Sequence, residues 1–267
     1  MCSLRIWQTR CISTPSTISH LKKASRLNRR PRNQTAVRRR VFDPGRTVER
    51  YAENEVMIPE WRVAQVRWSR LVLLVEDSPS MLVWRQATQE FYQFLQRLGA
   101  FRSVEYWQLC HDEGHCFQLR RGWQESGPAL PPSALTRGGP HEAVFLVSDA
   151  VSAAWRDGRM QVVLDDWGRE QALTLLQVLP ERLWQRSSLL WADFRIVKSG
   201  QIASANAALT ALPQSRSWWK RGESVGEAGL CTPVVELSPI GLQSWAASMT
   251  GRQGPALQAV RAGAGRP

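Results

Sequence analysis

The sequence has few cysteines, few histidines and no long apolar run, and each shortage excludes a class of protein. Its 267 residues hold five cysteines, too few for a disulfide-framed secreted fold, which indicates a reducing, cytoplasmic compartment. No run of about 18 apolar residues is present, so no membrane partner is expected. The four histidines are accompanied by no nucleophile elbow and no phosphate loop, so the sequence favours a protein that is not an enzyme.

Acidic residues are also scarce at the start of the chain. Residues 1–50 contain two acids and thirteen Lys or Arg, so this segment carries +11 of the formal net charge of +12. The other 217 residues are almost neutral, which argues against a basic nucleic-acid-binding body. Residues 1–45 are predicted to be a disordered basic tail, and nucleic-acid contact is an alternative for this tail alone. A transit peptide and a misassigned start codon are the other interpretations of this segment.

Composition divides the remaining chain into three parts. Residues 46–67 have a mixed pattern, interrupted by a proline, and are predicted to be a lead-in segment. Residues 68–250 carry the regular apolar patterns and are predicted to form one domain. Residues 251–267, which end in RAGAGRP, are predicted to be a C-terminal linker. Such a linker favours a chain that has lost, or been cut before, a downstream effector domain.

Short apolar runs alternate with segments of helical spacing through the predicted domain. The predicted buried strands are Leu71–Val75, Ala143–Val147, Leu173–Val178 and Pro233–Leu237. The predicted helices are Met81–Leu98 with Gly99 as its C-cap, a stretch around Met160–Trp167, a short helix at Leu183–Leu190, and Pro239–Met249 capped by Ser238. This alternation predicts an α/β fold with a mostly parallel central sheet and helices on both faces.

One antiparallel strand is expected at an edge of this sheet. The segments Phe101–Cys110 and Cys116–Leu119 flank a turn and are predicted to pair as a hairpin. An ordinary hairpin is the favoured interpretation of the Cys and His residues around this turn, and a zinc site and a redox pair are the alternatives. Residues 121–142 and 199–231 lack a clear pattern and are predicted to be a loop and a long excursion.

Polar residues follow two of the buried strands, and there the chain resembles a known family. Glu76, Ser78 and Ser80 follow the first strand, and Ser148 and Asp149 follow the strand at Ala143–Val147. This arrangement resembles the metal-ion-dependent adhesion site (MIDAS) of von Willebrand factor A (vWA) domains, in which an Asp-x-Ser-x-Ser segment and a later Thr/Ser-Asp-Gly segment meet. Hard oxygen ligands of this kind suit Mg²⁺.

Longer segments are similar to one bacterial branch of that family, found at the N-terminus of multidomain actinobacterial and cyanobacterial proteins. They are VRWSRLVLLVEDSPSMLVWR, LGAFRSVEYWQL, VFLVSDAVSAAWRDGRMQVVLDDWG, VLPERLWQRSSL and VVELSPIGLQSWAASMTG, in that order between residues 66 and 251. The resemblance implies a vWA/Rossmann-like fold. It also implies a non-catalytic protein-interaction module, an adaptor or sensor in a bacterial signalling or conflict system, whose partner is a protein or a flanking effector domain.

The resemblance implies a degenerate site for Mg²⁺ or Mn²⁺ at Glu76, Ser78, Ser80 and Asp149. Thr136 is the nearby candidate for the middle ligand of the family. Two departures bear on this site: Glu76 stands where the family has Asp, and Asp149 is followed by Ala150 rather than Gly. The alternative is a metal-free loop in which Ser78 or Ser80 caps the next helix.

Two further hypotheses concern other residues. A receiver-like switch would use Asp149 as phospho-acceptor, Glu76 and Asp77 to hold Mg²⁺, and Lys198 as the receiver lysine, although 72 residues between Asp77 and Asp149 are too many for a compact receiver. The pair Trp218 and Trp219, beside basic residues, is a candidate protein contact or base-stacking platform. A packing cluster under a loop is the alternative for this pair.

Overall fold

The computed structural model describes residues 26–27, 40–54, 56–63, 66–111, 116–123, 127–137, 142–199, 204–212, 229–248 and 255–261. The strands are β1 (Arg26–Leu27), β2 (Arg40–Phe42), β3 (Trp61–Val63), β4 (Val66–Asp77), β5 (Phe101–His111), β6 (Phe117–Arg121), β7 (Glu142–Ser148), β8 (Ala172–Gln177), β9 (Asp193–Ser199), β10 (Leu209–Leu212), β11 (Cys231–Glu236) and β12 (Leu257–Arg261). The α-helices are α1 (Pro44–Asn54), α2 (Arg85–Leu98), α3 (Ala153–Arg156), α4 (Arg159–Glu170) and α5 (Pro239–Ser248). Within the described part of the chain, none of the helices combines the length and the apolar character needed to cross a membrane.

The main sheet is mixed, with a parallel centre. Its strands follow the order β10-β9-β12-β11-β8-β7-β4-β5-β6, and β1 pairs with β4 beside this path. The five strands from β11 to β5 are parallel. β6 is antiparallel to β5 at one side, as predicted for the hairpin. At the other side β12, β9 and β10 add antiparallel pairs, so the expectation of a single antiparallel edge strand is corrected.

β4 lies inside the sheet, between β7 and β5, and its apolar run contributes to two cores. Leu71 and Leu73 pack on one face of the sheet, and Val72 and Leu74 pack on the other. All four are at most 1% exposed, which for side chains of this size stabilises by about 1.5–3 kcal/mol each relative to exposure. A strand buried on both faces reads as a continuous apolar run, as predicted.

Helices cover both faces of the sheet. On the Leu71 side α2 contributes Phe91, Leu95 and Leu98, and α5 contributes Leu242, Trp245 and Ala246. On the Val72 side α3 contributes Ala154, and α4 contributes Met160, Leu164 and Trp167. The α/β class with helices on both faces is therefore confirmed.

The helix predicted at Met81–Leu98 is divided into two parts. Residues Pro79–Trp84 form a 3₁₀ helix, and α2 begins at Arg85. Proline lacks the N–H of an interior helical position, so it suits the first turn of such a segment. The predicted end is confirmed, because Gly99 terminates α2 with φ of 60°. The short helix predicted at Leu183–Leu190 is a pair of 3₁₀ helices, Glu181–Arg186 and Ser188–Trp191.

The predicted domain boundaries need correction at both ends. β12 lies inside the segment predicted to be a linker, yet it pairs with β11 and with β9, so the sheet extends to Arg261. Its signal was weak because the strand has only five residues, of which three, Leu257, Ala259 and Val260, are buried. Within the predicted tail, β1 pairs with β4 and β2 pairs with β3. Pro44 and Gly45 begin α1, and residues 1–25 and 28–39 lie outside the described residues.

A close approach at the start of α5 leads to a stability prediction. Ser238 caps this helix as predicted, since its Oγ accepts a hydrogen bond from the Gly241 backbone N–H at 3.1 Å. A Cβ at Gly241 would collide with the carbonyl oxygen of Glu236. We expect Gly241→Ala to lower the free energy of unfolding by about 2–3 kcal/mol, measured by urea denaturation. Gly99→Ala, where the positive φ is strained but no atom is close, should cost about 1 kcal/mol. Equal costs would contradict the steric account.

Candidate functional site

The polar segments after β4 and β7 meet at one rim of the sheet. β4 and β7 are neighbouring parallel strands, with Val75 opposite Val147, so their carboxyl ends lie side by side. After β4, the chain adds β5 and β6 on one side of β4. It then reverses direction and adds β7, β8 and β11 on the other side. In open α/β sheets the crevice for a ligand forms at such a reversal of strand order.

Glu76, near the end of β4, is the buried centre of this rim. It is 1% exposed, and its Oε2 accepts hydrogen bonds from the Ser148 hydroxyl and from Trp155 Nε1 at 2.9 Å. His111 Nε2 lies 3.3 Å from Oε1. Residues of β4, β5, β7 and α3 thus converge on one carboxylate. We call Glu76, His111, Ser148 and Trp155 the Glu76 cluster.

The electrostatics of the Glu76 cluster favour a buried ion pair. Burial by itself raises the pKa of Glu76, but hydrogen bonds from His111, Ser148 and Trp155 outweigh burial and hold that pKa below its usual value. The hydrogen bond to Glu76 raises the pKa of His111, against the smaller effect of its own partial burial. Each partner therefore favours the charged form of the other.

Ser148 and Asp149 shape a tight turn after β7. Ser148 Oγ accepts a hydrogen bond from the Ala150 N–H at 2.8 Å, and Asp149 Oδ1 accepts one from the Val151 N–H at 3.0 Å. Ala150 is fully buried and has φ of 56°, a left-handed conformation that costs an alanine about 1–2 kcal/mol. The glycine that the vWA resemblance places here would adopt this conformation without strain.

Ser78, Ser80 and Asp149 form the outer part of the rim, which we call the Ser80–Asp149 rim; Ser78 and Asp149 are each 4% exposed, and Ser80 is half-buried. The Ser78 and Ser80 hydroxyl oxygens are 3.2 Å apart. Burial raises the pKa of Asp149, and hydrogen bonds from Ser80 and from the Val151 N–H act against it. Ser78 occupies the N-cap position of the 3₁₀ helix without a side-chain cap bond, so the capping alternative does not describe Ser78.

Thr136 is not brought to this rim. It lies in the 3₁₀ helix Pro132–Arg137, where the carbonyl of Leu135 accepts a hydrogen bond from Gln171 Nε2. Gln171 directly precedes β8, so this segment lies near the amino end of a strand parallel to β7. For a strand of six residues the opposite rim is roughly 20 Å away. The expectation that Thr136 completes a site with Asp149 is therefore corrected.

Other predicted residues also lie apart. Glu76 and Asp77 point to opposite faces, because Glu76 contacts Trp155 while Asp77 accepts a hydrogen bond from Cys110 Sγ at 3.7 Å. Lys198 is on β9, which is separated from β7 by β8, β11 and β12, or roughly 19 Å. Cys110 is paired with Gln118 rather than with Cys116. Trp218 and Trp219 lie outside the described residues.

The carboxylate oxygens of Glu76 are not available as ligands for Mg²⁺ or Mn²⁺. Two hydrogen-bond donors already occupy Oε2 and one contacts Oε1, so the lone pairs that a cation needs are largely taken. The remaining rim oxygens include only one carboxylate, that of Asp149. Within the described ranges, no group of three or more His, Cys, Asp or Glu side chains could hold a metal ion.

Three members of the Glu76 cluster were not predicted as site residues. His111 lies beside the predicted hairpin turn, Ser148 precedes the predicted ligand Asp149, and Trp155 carries no sequence signal for a site. His111 could have been found from the alternation of side chains along β5. Once β5 is paired with β4, this alternation places Trp107, Leu109 and His111 on the same face of the sheet as Glu76.

Comparisons with protein-family models, with curated proteins and with solved structures give no match to this chain. The assignment of a function therefore depends on the geometry of the rim.

The ion pair at Glu76 predicts how stability depends on pH. Glu76→Gln keeps the shape of the side chain but removes its charge, so we expect a loss of about 1–2 kcal/mol of unfolding free energy at pH 7. The Glu76 contribution is present above its unfolded pKa of about 4.3 and is lost as the pH falls through its lower folded pKa. The His111 contribution is present below about pH 6.5 and is lost as the pH rises through its raised folded pKa.

The measurement is urea denaturation from pH 4 to 8, together with an NMR titration of His111. In Glu76→Gln the pKa of His111 should fall to or below about 6.5, because the pairing charge is gone. Asp77→Asn is the matched control, since Asp77 is adjacent in sequence but faces the other side, and it should change the His111 pKa much less. An unchanged His111 pKa in Glu76→Gln would contradict the ion pair.

The occupied lone pairs of Glu76 predict a weak response to divalent cations. We expect millimolar Mg²⁺ or Mn²⁺ to leave the Tm of the wild-type protein within about 1 °C, because a ligand at 100 times its Kd would add about 2.7 kcal/mol and shift the Tm by several degrees. Thermal denaturation with and without EDTA provides the measurement. A saturable rise in Tm that Glu76→Gln abolishes would show that Glu76 does hold a cation.

Proposed function

We propose that this chain is a non-catalytic, vWA-like interaction module that contacts a protein partner, or a flanking effector domain, through the Ser80–Asp149 rim. The observation that carries the proposal is the convergence of two segments about 70 residues apart, Ser78–Ser80 and Ser148–Asp149, at the reversal point of a parallel sheet. The proposed setting is a bacterial signalling or conflict system in the cytoplasm, in which the module is an adaptor or sensor.

The strand order supports a vWA/Rossmann-like assignment. Counted along the chain from β4, the strands β4, β5, β6, β7, β8 and β11 take the spatial order 3-2-1-4-5-6, which is the order of doubly wound dinucleotide-binding folds. The third of these strands is antiparallel. Fold alone does not determine function, so the proposal relies on the rim rather than on the topology.

The chemistry of the rim supports binding rather than catalysis. Glu76 is buried and accepts three hydrogen bonds, so it is not placed to take a proton from a substrate. The Ser148 side chain is fully buried, and its hydroxyl donates to Glu76 and accepts from the Ala150 N–H, so it is not presented to a substrate as a nucleophile. The position of Lys198, on a strand remote from β7, counts against the alternative of a receiver-like phospho-acceptor at Asp149.

Exposed apolar side chains next to the rim support a protein partner. Leu82 is 56% exposed and Val83 is 72% exposed, and both follow Ser80 in the 3₁₀ helix Pro79–Trp84. Apolar side chains beside hydroxyl and carboxylate groups are a common composition for a contact surface between proteins.

Site-specific photocrosslinking tests this proposal. We expect a photoreactive residue at Val83 to yield, in cells, a discrete adduct with another protein, because that position faces the proposed partner. Ile196 on β9 is the control, being 39% exposed and separated from β7 by β8, β11 and β12, and it should give no such adduct. Ser80→Ala and Asp149→Asn in the Val83 variant should each reduce the adduct at least about threefold, corresponding to roughly 0.7 kcal/mol of contact energy. Identical adducts from both positions, or none from Val83, would refute the proposal.

A further inference from the structure

A second polar pocket lies on the face of the sheet opposite the Glu76 cluster. It is formed by the carboxyl end of β4, the 3₁₀ helix Pro79–Trp84, the start of α2 and the middle of β5. Val75, Met81 and Tyr106 provide its apolar walls, and Asp77 and Gln108 provide carbonyl-type oxygens. None of these side chains belongs to the Ser80–Asp149 rim.

Gln108 is the unusual residue of this pocket. Its side chain is 7% exposed, and its Oε1 is buried without a hydrogen-bond partner among the described residues. A buried acceptor left without a donor destabilises the folded protein, so such groups are rare and call for an explanation. A ligand that supplies the missing N–H donor is one such explanation.

Asp77 places a negative charge in the same pocket. Its Oδ2 accepts the weak hydrogen bond from Cys110 Sγ at 3.7 Å, and no ion pair of Asp77 is found within the described part of the chain. The pocket therefore combines a neutral oxygen acceptor and a carboxylate with apolar and aromatic walls. This combination suits a cation that is planar, weakly hydrated and rich in N–H donors.

The geometry points to a binding pocket for a guanidinium group, presented by an arginine side chain of a partner protein. A guanidinium carries parallel N–H donors for the two oxygen-bearing side chains that line this pocket, Gln108 and Asp77, and its planar apolar faces suit a wall that includes Met81. The exposed Leu82 and Val83 beside the pocket favour a protein segment over a free metabolite. This site goes beyond the proposed function and does not depend on the Ser80–Asp149 rim.

Removing the positive charge of Arg85 should have opposite effects on the binding of a cation and of an anion. Arg85 is exposed, lines the pocket, and repels a bound cation. Arg85→Met should therefore tighten the binding of a guanidinium ligand, whereas it would weaken the binding of any anionic ligand. The Gln108 oxygen is itself buried, so binding requires that exposed lining side chains such as Arg85 and Leu82 change rotamer to admit the ligand.

The test is a calorimetric titration of the full-length protein with the blocked tripeptide acetyl-Leu-Arg-Leu-amide. We expect a Kd on the order of 1 mM. The citrulline analogue, which keeps the shape but has no charge, and the lysine analogue should bind at least about tenfold more weakly. Free arginine should also bind more weakly than the tripeptide. Tighter binding of free arginine, or equal binding of the citrulline peptide, would overturn the proposal.

Variants of the pocket complete the test. Gln108→Met removes the unpartnered oxygen, so it should raise the Tm of the free protein and weaken the binding of the tripeptide about tenfold. Asp77→Asn should weaken it to a similar extent, and Arg85→Met should strengthen it. Gln118→Met on the neighbouring β6, which is outside the pocket, is the matched control and should leave affinity unchanged. A lower Tm in Gln108→Met, or weaker binding in Arg85→Met, would show that the oxygen has another partner or that the ligand is an anion.

Discussion

The structure depends on one buried negative charge near the carboxyl end of β4, a strand inside the parallel part of the sheet. An ionised carboxylate that is almost completely removed from water is stable only if donors and a positive charge compensate it. At Glu76 these come from β5, β7 and α3, through His111, Ser148 and Trp155. Satisfying this one group therefore fixes how the ends of three strands and a short helix lie relative to each other.

This requirement also explains the shape of the neighbouring rim. Ser148 connects Glu76 to the turn after β7, because its hydroxyl donates to Glu76 and its oxygen accepts from the Ala150 N–H. The turn that results places Ala150 at a positive φ and directs Asp149 toward Ser80. Strain of this kind persists only where the surroundings determine the conformation strongly. The hydroxyls and the carboxylate of the Ser80–Asp149 rim are thus held in place through Ser148 by the buried Glu76.

Much of the centre of the fold follows from local pattern, whereas the Glu76 cluster depends on pairing between distant strands. The apolar runs at residues 71–75 and 143–147 predicted two buried strands, and their parallel arrangement predicted that Glu76 and Asp149 would share a rim. His111 could be assigned to the Glu76 face only after the pairing of β5 with β4 was known. The hydrogen bond from Trp155 to Glu76 could be predicted only if the direction of the turn after β7 were known. Thr136 was misplaced because a weakly patterned loop gives no information about which end of the sheet it reaches.

The insertion of β12 between β11 and β9 has a consequence for the order in which the chain assembles. Strands β9 and β10 are complete by residue 212, but their link to the parallel strands runs through residues 257–261. During synthesis the β9–β10 hairpin must therefore wait, with one edge unpaired, until a segment about 45 residues later emerges from the ribosome. Unpaired edges are prone to intermolecular pairing, so the topology exposes the nascent chain to such pairing during this interval.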